Sequence, residues 1–361
     1  MQFLKIILLA AIVSIIAPSC IKKIDVKTRN EKPILVVEGS VTTDTVPYQV
    51  KLSYSGPFTR GYELPDKFLE KDADVSITDD LGNATSLVYK DQGIYETTDR
   101  SYTGKVGRSY SVIVTLRDGT KYVSVPEKIN PAVPIDNISI LFNSYPPTPS
   151  SLGVYADLND PAAEENYYKW SFYTYVPRKT NGIPCGFGCL KYEYCFQKVT
   201  NQEFRILSDA AINGNKIKNH LMGNSPIYWY GRHYIDIMQC SISREDYQFS
   251  LRFHEQQTRT GSILDPLPAS IKGNIYNAAD SNDFALGYFS ASSVTHVRAV
   301  LVPFSITPFL LDVTAVTYIP EGSKNCFEYF PNALFYPPSP ATQNPPPPGW
   351  ENAQIIEVRW E

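Results

Sequence analysis

The sequence predicts a mostly β protein: an N-terminal immunoglobulin- or prealbumin-like β-sandwich over residues 33–130, followed by a second β-rich domain over 131–361 with one or two short helices. Three observations carry this. The chain of 361 residues holds 25 Tyr alongside frequent Val, Ile and Thr, the residue types that suit a pleated, half-buried surface. Its 28 Pro and 20 Gly recur in short clusters with Asn and Asp, as turns require. Between those clusters, apolar and polar residues alternate with the period of a strand.

In order, Pro33 to Gly39 is a compact apolar run ending in glycine. Gln49–Tyr54 and Asp74–Asp79 alternate as half-buried strands, and Asp80-Leu81-Gly82-Asn83 reads as a turn. Gly93-Ile94-Tyr95-Glu96 follows, then a strand at Ser109–Leu116. Arg117-Asp118-Gly119-Thr120 is a hairpin signal leading into Lys121–Val125. About seven short strands with regular turns fit a sandwich. Pro126, Pro131 and Pro134 mark the junction to the second domain.

Beyond it, strands are expected at Ile135–Phe142, Leu152–Leu158 and the aromatic stretch Tyr167–Tyr175. Ser243-Arg244-Glu245-Asp246 resembles a capping box, which predicts a helix over 243–259; the alternation of Tyr247, Phe249, Leu251 and Phe253 is the competing strand reading. Ala269–Asn277, Phe284–Ala291 and Val294–Val302 read as consecutive antiparallel strands. Residues 337–349 are proline-rich and extended, and Ile355–Trp360 reads as a final strand.

The amino terminus carries an address. A basic residue and about eleven uninterrupted apolar residues from Ile6 to Ile16 precede Ala17-Pro18-Ser19-Cys20. That run is shorter than the roughly 20 residues a spanning helix needs, and small residues before a cut describe a signal peptide, residues 1–19. Cysteine directly after the cut is the lipoprotein arrangement, making Cys20 the expected lipidation site. Residues 20–32 form a polar tether, and the lipid ties the chain to the membrane.

Charge excludes one class of partner. Lys and Arg number 33 and Asp and Glu 37, so no basic excess points to nucleic acid. Cys185, Cys189, Cys195, Cys240 and Cys326 are candidate disulfide partners outside the cytosol, with free thiols and a metal site as competing readings. The four histidines, His220, His233, His254 and His296, stand in no recognisable nucleophile–base motif. No P-loop or dinucleotide fingerprint occurs. The expectation is a non-enzymatic protein with no cofactor and no metal. Asp157/Asp160, Glu164/Glu165 and Asp280/Asp283 sit in turn-like contexts and read as solvated turns, with a calcium site or an acid–base pair as competing readings. Tyr228, Trp229, Tyr230 and Tyr234 form an aromatic cluster suited to a ligand or protein partner, with core packing as the competing reading. Asp44-Thr45-Val46 matches a short O-glycosylation acceptor pattern.

Several segments together resemble a known family: Ile34–Gly39, Gly93-Ile94-Tyr95 with Gly107–Tyr110, Asn166–Trp170, Ser262–Pro266, Gly273–Asn277 and Leu286–Ser293. They are similar to a Bacteroidetes lipoprotein family known as domain of unknown function 4249. The tail departs from that resemblance, with Cys326 alone before a proline loop. The resemblance implies an outer-membrane lipoprotein commonly encoded beside a TonB-dependent receptor, and it brings no catalytic residues; the expectation is a binding accessory of that transporter. An autonomous glycan- or nutrient-binding lipoprotein is the alternative.

Overall fold

The computed structural model describes residues 33–44, 47–56, 65–143, 151–162, 164–179, 183–186, 189–191, 194–200, 203–226, 233–258, 271–301, 333–336, 354–356 and 358–360. The protein is mostly β. Seven strands come from the first part of the chain: β1 (Leu35–Thr42), β2 (Gln49–Tyr54), β3 (Asp74–Asp79), β4 (Ala84–Asp91), β5 (Ile94–Thr97), β6 (Ser109–Thr115) and β7 (Lys121–Ser124). A short β8 (Glu127–Lys128) follows. Next come β9 (Asn137–Asn143), β10 (Ser151–Asn159), β11 (Tyr167–Lys179), β12 (Ile183–Gly186), β13 (Cys189–Lys191), β14 (Tyr194–Thr200), β15 (Arg205–Ser208), β16 (Lys216–Pro226) and β17 (His233–Ile242). Helix α1 (Arg244–Thr258) precedes β18 (Lys272–Asn277), β19 (Phe284–Leu301), β20 (Ala333–Tyr336), β21 (Gln354–Ile356) and β22 (Val358–Trp360).

The first seven strands do not close on themselves. Their hydrogen-bonded order is β1-β2-β5-β4-β3-β6-β7, after which β18 pairs with β7 and β19 with β18. β19 then pairs in parallel with β1, from Val36 opposite Leu286 to Thr42 opposite Ser292. The result is a barrel-like ring of nine strands with no free edge, so no row of unpaired backbone groups is left along it. Strands from beyond residue 270 therefore complete the sheet begun by residues 33–130.

Inward-facing positions fill the ring. Val37, Val50, Leu52, Ile77, Val112, Val114 and Phe289 are wholly buried. Each such side chain contributes about 1.5–3 kcal/mol relative to exposure. The tyrosines do more than fill space. Tyr48, Tyr95 and Tyr110 bury their rings while their hydroxyls accept backbone N–H groups from Gly104 (3.0 Å), Ala73 (3.1 Å) and Lys105 (2.8 Å). An apolar body with a polar tip thus fastens the connecting loops to the core.

β19 is one unbroken strand of 18 residues, where the sequence predicts two. Its first half belongs to the ring and its second half, Ser293 to Leu301, pairs antiparallel with β17. β17 pairs with β11, and β11 with β14 and β15. A separate four-stranded sheet, β16-β10-β9-β22, packs on this extension through a second core that includes Leu152, Val154, Trp170, Phe172, Ile235 and Ile237. Within it Trp170 Nε1 donates to Gln239 Oε1 (2.8 Å), and Gln239 Nε2 donates to the Val133 carbonyl (2.6 Å). The final strand is split into β21 and β22, which join different sheets.

The helix forms where the capping signal places it. Ser243 Oγ accepts the Asp246 N–H (3.0 Å), and Tyr247 N–H reaches the Ser243 carbonyl (3.0 Å). Among the described residues no helix is long and apolar enough to cross a membrane.

Candidate functional site

Helix α1 packs against β11, β15 and β19, and its buried residues, Asp246 and Ser250, are polar. Asp246 is the centre of this contact. Its Oδ1 accepts from Ser250 Oγ (3.0 Å), its other oxygen from Ser290 Oγ on β19, and Lys169 Nζ on β11 stands 4.0 Å away. An acidic residue in the first turn also complements the positive end of the helix dipole. The capping box is therefore half used: Ser243 caps, while the Asp246 carboxylate turns to β19 and β11 and does not serve the cap.

A second buried carboxylate supports the same corner. Glu127 Oε1 accepts from Tyr288 Oη (2.5 Å) and Asn274 Nδ2 (3.3 Å), and the Ser243 hydroxyl also reaches this carboxylate. Burial pushes the Glu127 carboxyl above the usual range, and these donors only partly offset it. Tyr288 in turn stacks on Phe249 of α1, with centroids 4.8 Å apart, and Phe249 lies 6.1 Å from Phe253 in nearly parallel planes.

Between α1, the β1/β19 seam and the β11/β17 strands opens a cleft of about 910 Å³. That lies toward the upper end of the range for small-molecule sites, about 300–1,000 Å³. Its walls combine aromatic rings, hydroxyls, amides and ion pairs. Phe204 stacks on His254 at 4.2 Å, and Arg205 is paired with Glu203 at 2.9 Å.

A second charged cluster joins the ring to its extension. His296 on β19 is held between two carboxylates, with Nδ1 2.9 Å from Asp236 and Nε2 2.9 Å from Asp44. Arg298 adds a 3.2 Å contact to Asp236. These hydrogen bonds raise His296 to about 9 against the opposing effect of burial, so it is charged at neutral pH.

The residues singled out from sequence are distributed unevenly. Of the cysteines, Cys240 on β17 lines the cleft as a free thiol, pushed up to about 11 by burial. Cys185 and Cys189 lie on the β12/β13 hairpin and Cys195 on β14, each placed by its backbone. Cys20 and Cys326 lie outside the described residues. So do Tyr228, Trp229 and Tyr230, while the Tyr234 backbone sits on β17 opposite Tyr175 and Val300. Thr45 and Val46 are likewise outside, and the Asp44 preceding them is engaged by His296.

One turn reading needs correction. Asp160 is buried, not solvated: Tyr168 Oη donates to it at 2.5 Å and the Gly214 N–H at 2.8 Å. The Asn159-Asp160-Pro161 sequence looks like a surface turn, but the chain folds it beneath β11. Asp209, fully buried, stands beside it. Among the described residues no group of three or more His, Cys, Asp or Glu could hold a metal ion. Glu127 has no local motif, and the capping box and the alternation of Tyr247, Phe249, Leu251 and Phe253 announce a helix or a strand at Asp246, Phe249 and Phe253, not a site.

The family model described as Domain of unknown function (DUF4249) matches residues 21–298. The chain belongs to this family. No curated protein matches it. The DUF4249 region runs from just after Cys20 to near the end of β19, and so takes in the whole ring, α1 and the cleft.

Proposed function

We propose that this DUF4249 protein is a lipid-anchored outer-membrane protein that acts, without catalysis, as a binding accessory of a TonB-dependent transporter. The observation that carries the anchoring is Cys20, set directly after an apolar leader and directly before the family region. A lipid at Cys20 confines the protein to the membrane plane, which raises its effective concentration beside a partner barrel. The 910 Å³ cleft gives such an accessory a place to hold a ligand. The same cleft favours a second reading, autonomous capture of a glycan or nutrient at the envelope.

Crosslinked pull-down of the lipidated protein from native outer membranes, read by mass spectrometry, tests the accessory reading. Near-equal recovery of one TonB-dependent receptor is the expected result. Recovery of no barrel protein leaves the autonomous reading in its place. A Cys20→Ala protein that stays with the membrane through a high-salt wash would sink the anchoring.

A further inference from the structure

We propose that the cleft beneath α1 takes an uncharged saccharide, with Phe253 as the stacking platform for a sugar ring. The inference rests on the binding reading above and names the class of ligand.

Charge narrows the choice first. Among the described residues, two cations line the cleft, Lys169 and Arg205, and each stands near a carboxylate, Asp246 at 4.0 Å and Glu203 at 2.9 Å. Glu38 adds a third carboxylate, exposed on β1. Among the described residues, two positive groups against three negative ones leave no surplus for an anionic ligand, and bringing one in would cost a desolvated like-charge contact.

The walls select further. Tyr288, Phe249 and Phe253 form a column of stacked rings. Its inner end is fixed by the Tyr288–Glu127 hydrogen bond of 2.5 Å. Its outer end, Phe253, is 43% exposed at the cleft wall. An aromatic ring aligned in this column and partly open to the cleft suits the apolar C–H face of a pyranose. Around it stand neutral hydrogen-bonding groups: Gln256 and Gln257 on the same helix, and Ser40 and Ser171 on the facing strands. Hydroxyls and amides that both donate and accept match a ligand whose edge is a row of hydroxyls. A purely apolar ligand would leave these groups unpaired, at a penalty for each.

The test uses the full mature chain with Cys20→Ala in calorimetry. The ligands are neutral hexasaccharides (malto-, xylo-, manno- and laminari-series), with oligogalacturonate and chitosan oligomers as acidic and cationic comparisons. The expected result is binding of at least one neutral series. Phe253→Ala should weaken it about tenfold, and Phe253→Trp should retain it. Phe253 is exposed, so neither variant threatens the fold. No heat with any neutral series at millimolar concentration overturns the inference. So does binding confined to the acidic or cationic oligomers, or neutral binding indifferent to Phe253→Ala. Receptor capture in the pull-down is a separate readout. If the receptor is captured and no saccharide binds, the ligand class alone fails. If saccharide binds and no receptor is captured, the accessory reading alone fails.

Discussion

Gly273 and Gly287 meet so closely that a Cβ on Gly273 would lie 1.6 Å from the Gly287 carbonyl oxygen. On the other side of the same strand, a Cβ on Gly287 would lie 2.2 Å from the Val37 carbonyl oxygen. Gly287 also has φ +88°. The nine-strand ring closes through this pair, with β18 on one side of β19 and β1 on the other. Gly287→Ala should cost about 1–2 kcal/mol for the backbone and about 1–3 kcal/mol for overpacking. Gly82, with φ +83° and open space around it, is the control and should cost only the backbone part. Urea midpoints of the two alanine variants measure the difference. Equal costs would show that the seam is not tight.

His296 links Asp44, after β1, to Asp236 on β17, and so ties the ring to its extension. Its folded-state value of about 9 lies above its ordinary 6.5. The stabilisation is therefore fully present below about pH 6.5 and is lost as pH rises through 9. The shift corresponds to on the order of 3 kcal/mol. The wild type should lose stability between pH 6.5 and 9.5, and His296→Gln should flatten that decline. The same slope in both proteins would place the pH dependence elsewhere.

Local elements were legible in the sequence wherever one face is buried and a turn residue closes the segment. Gln49–Tyr54 and Asp74–Asp79 are strands with the bounds their alternation predicts, and the Ser243 cap starts α1. β4 carries only two buried side chains, Thr85 and Leu87, and so gives little periodic signal. Nothing local announces that β1 pairs in parallel with β19, because the partners are some 250 residues apart and parallel pairing needs no hairpin. The break expected in β19 falls at Ser292-Ser293, where small polar residues resemble a turn. Both are buried as the strand passes from one core to the other. The cleft draws on β1, β11, β17, α1 and β19, so it exists only once that long-range pairing is made.

Ser243 does two tasks, and its loss should exceed that of a simple cap. Its Oγ accepts the Asp246 N–H at 3.0 Å, and its hydroxyl reaches the buried Glu127. A cap alone is worth about 1 kcal/mol. Ser243→Ala also removes a donor from a buried carboxylate, and the total should approach 2 kcal/mol. Ser243→Thr keeps both contacts and should recover most of it. Urea unfolding followed at 222 nm reads both variants, and an alanine cost below about 0.5 kcal/mol would remove Glu127 from the account.

The buried pair Asp160 and Asp209 predicts a substitution that stabilises. Asp160 is well supplied, taking donors from Tyr168 and Gly214. Asp209 is supplied on one side only: its Oδ2 accepts from Asn166 Nδ2 at 3.4 Å, while its Oδ1 is buried and meets no donor among the described residues. Burial raises the Asp209 carboxyl, and the neighbouring Asp160 raises it further. A carboxyl raised in the folded state makes folding less favourable as pH climbs from its unfolded value through its folded one. Asp209→Asn keeps the shape and replaces the orphaned oxygen's missing proton with an amide donor. Its urea midpoint should exceed that of the wild type at pH 7, and the gap should close near pH 4, where the wild-type carboxyl carries its own proton. A variant less stable than the wild type at pH 7 would mean that Asp209 is held as a carboxylate, its charge balanced by a partner outside the described residues.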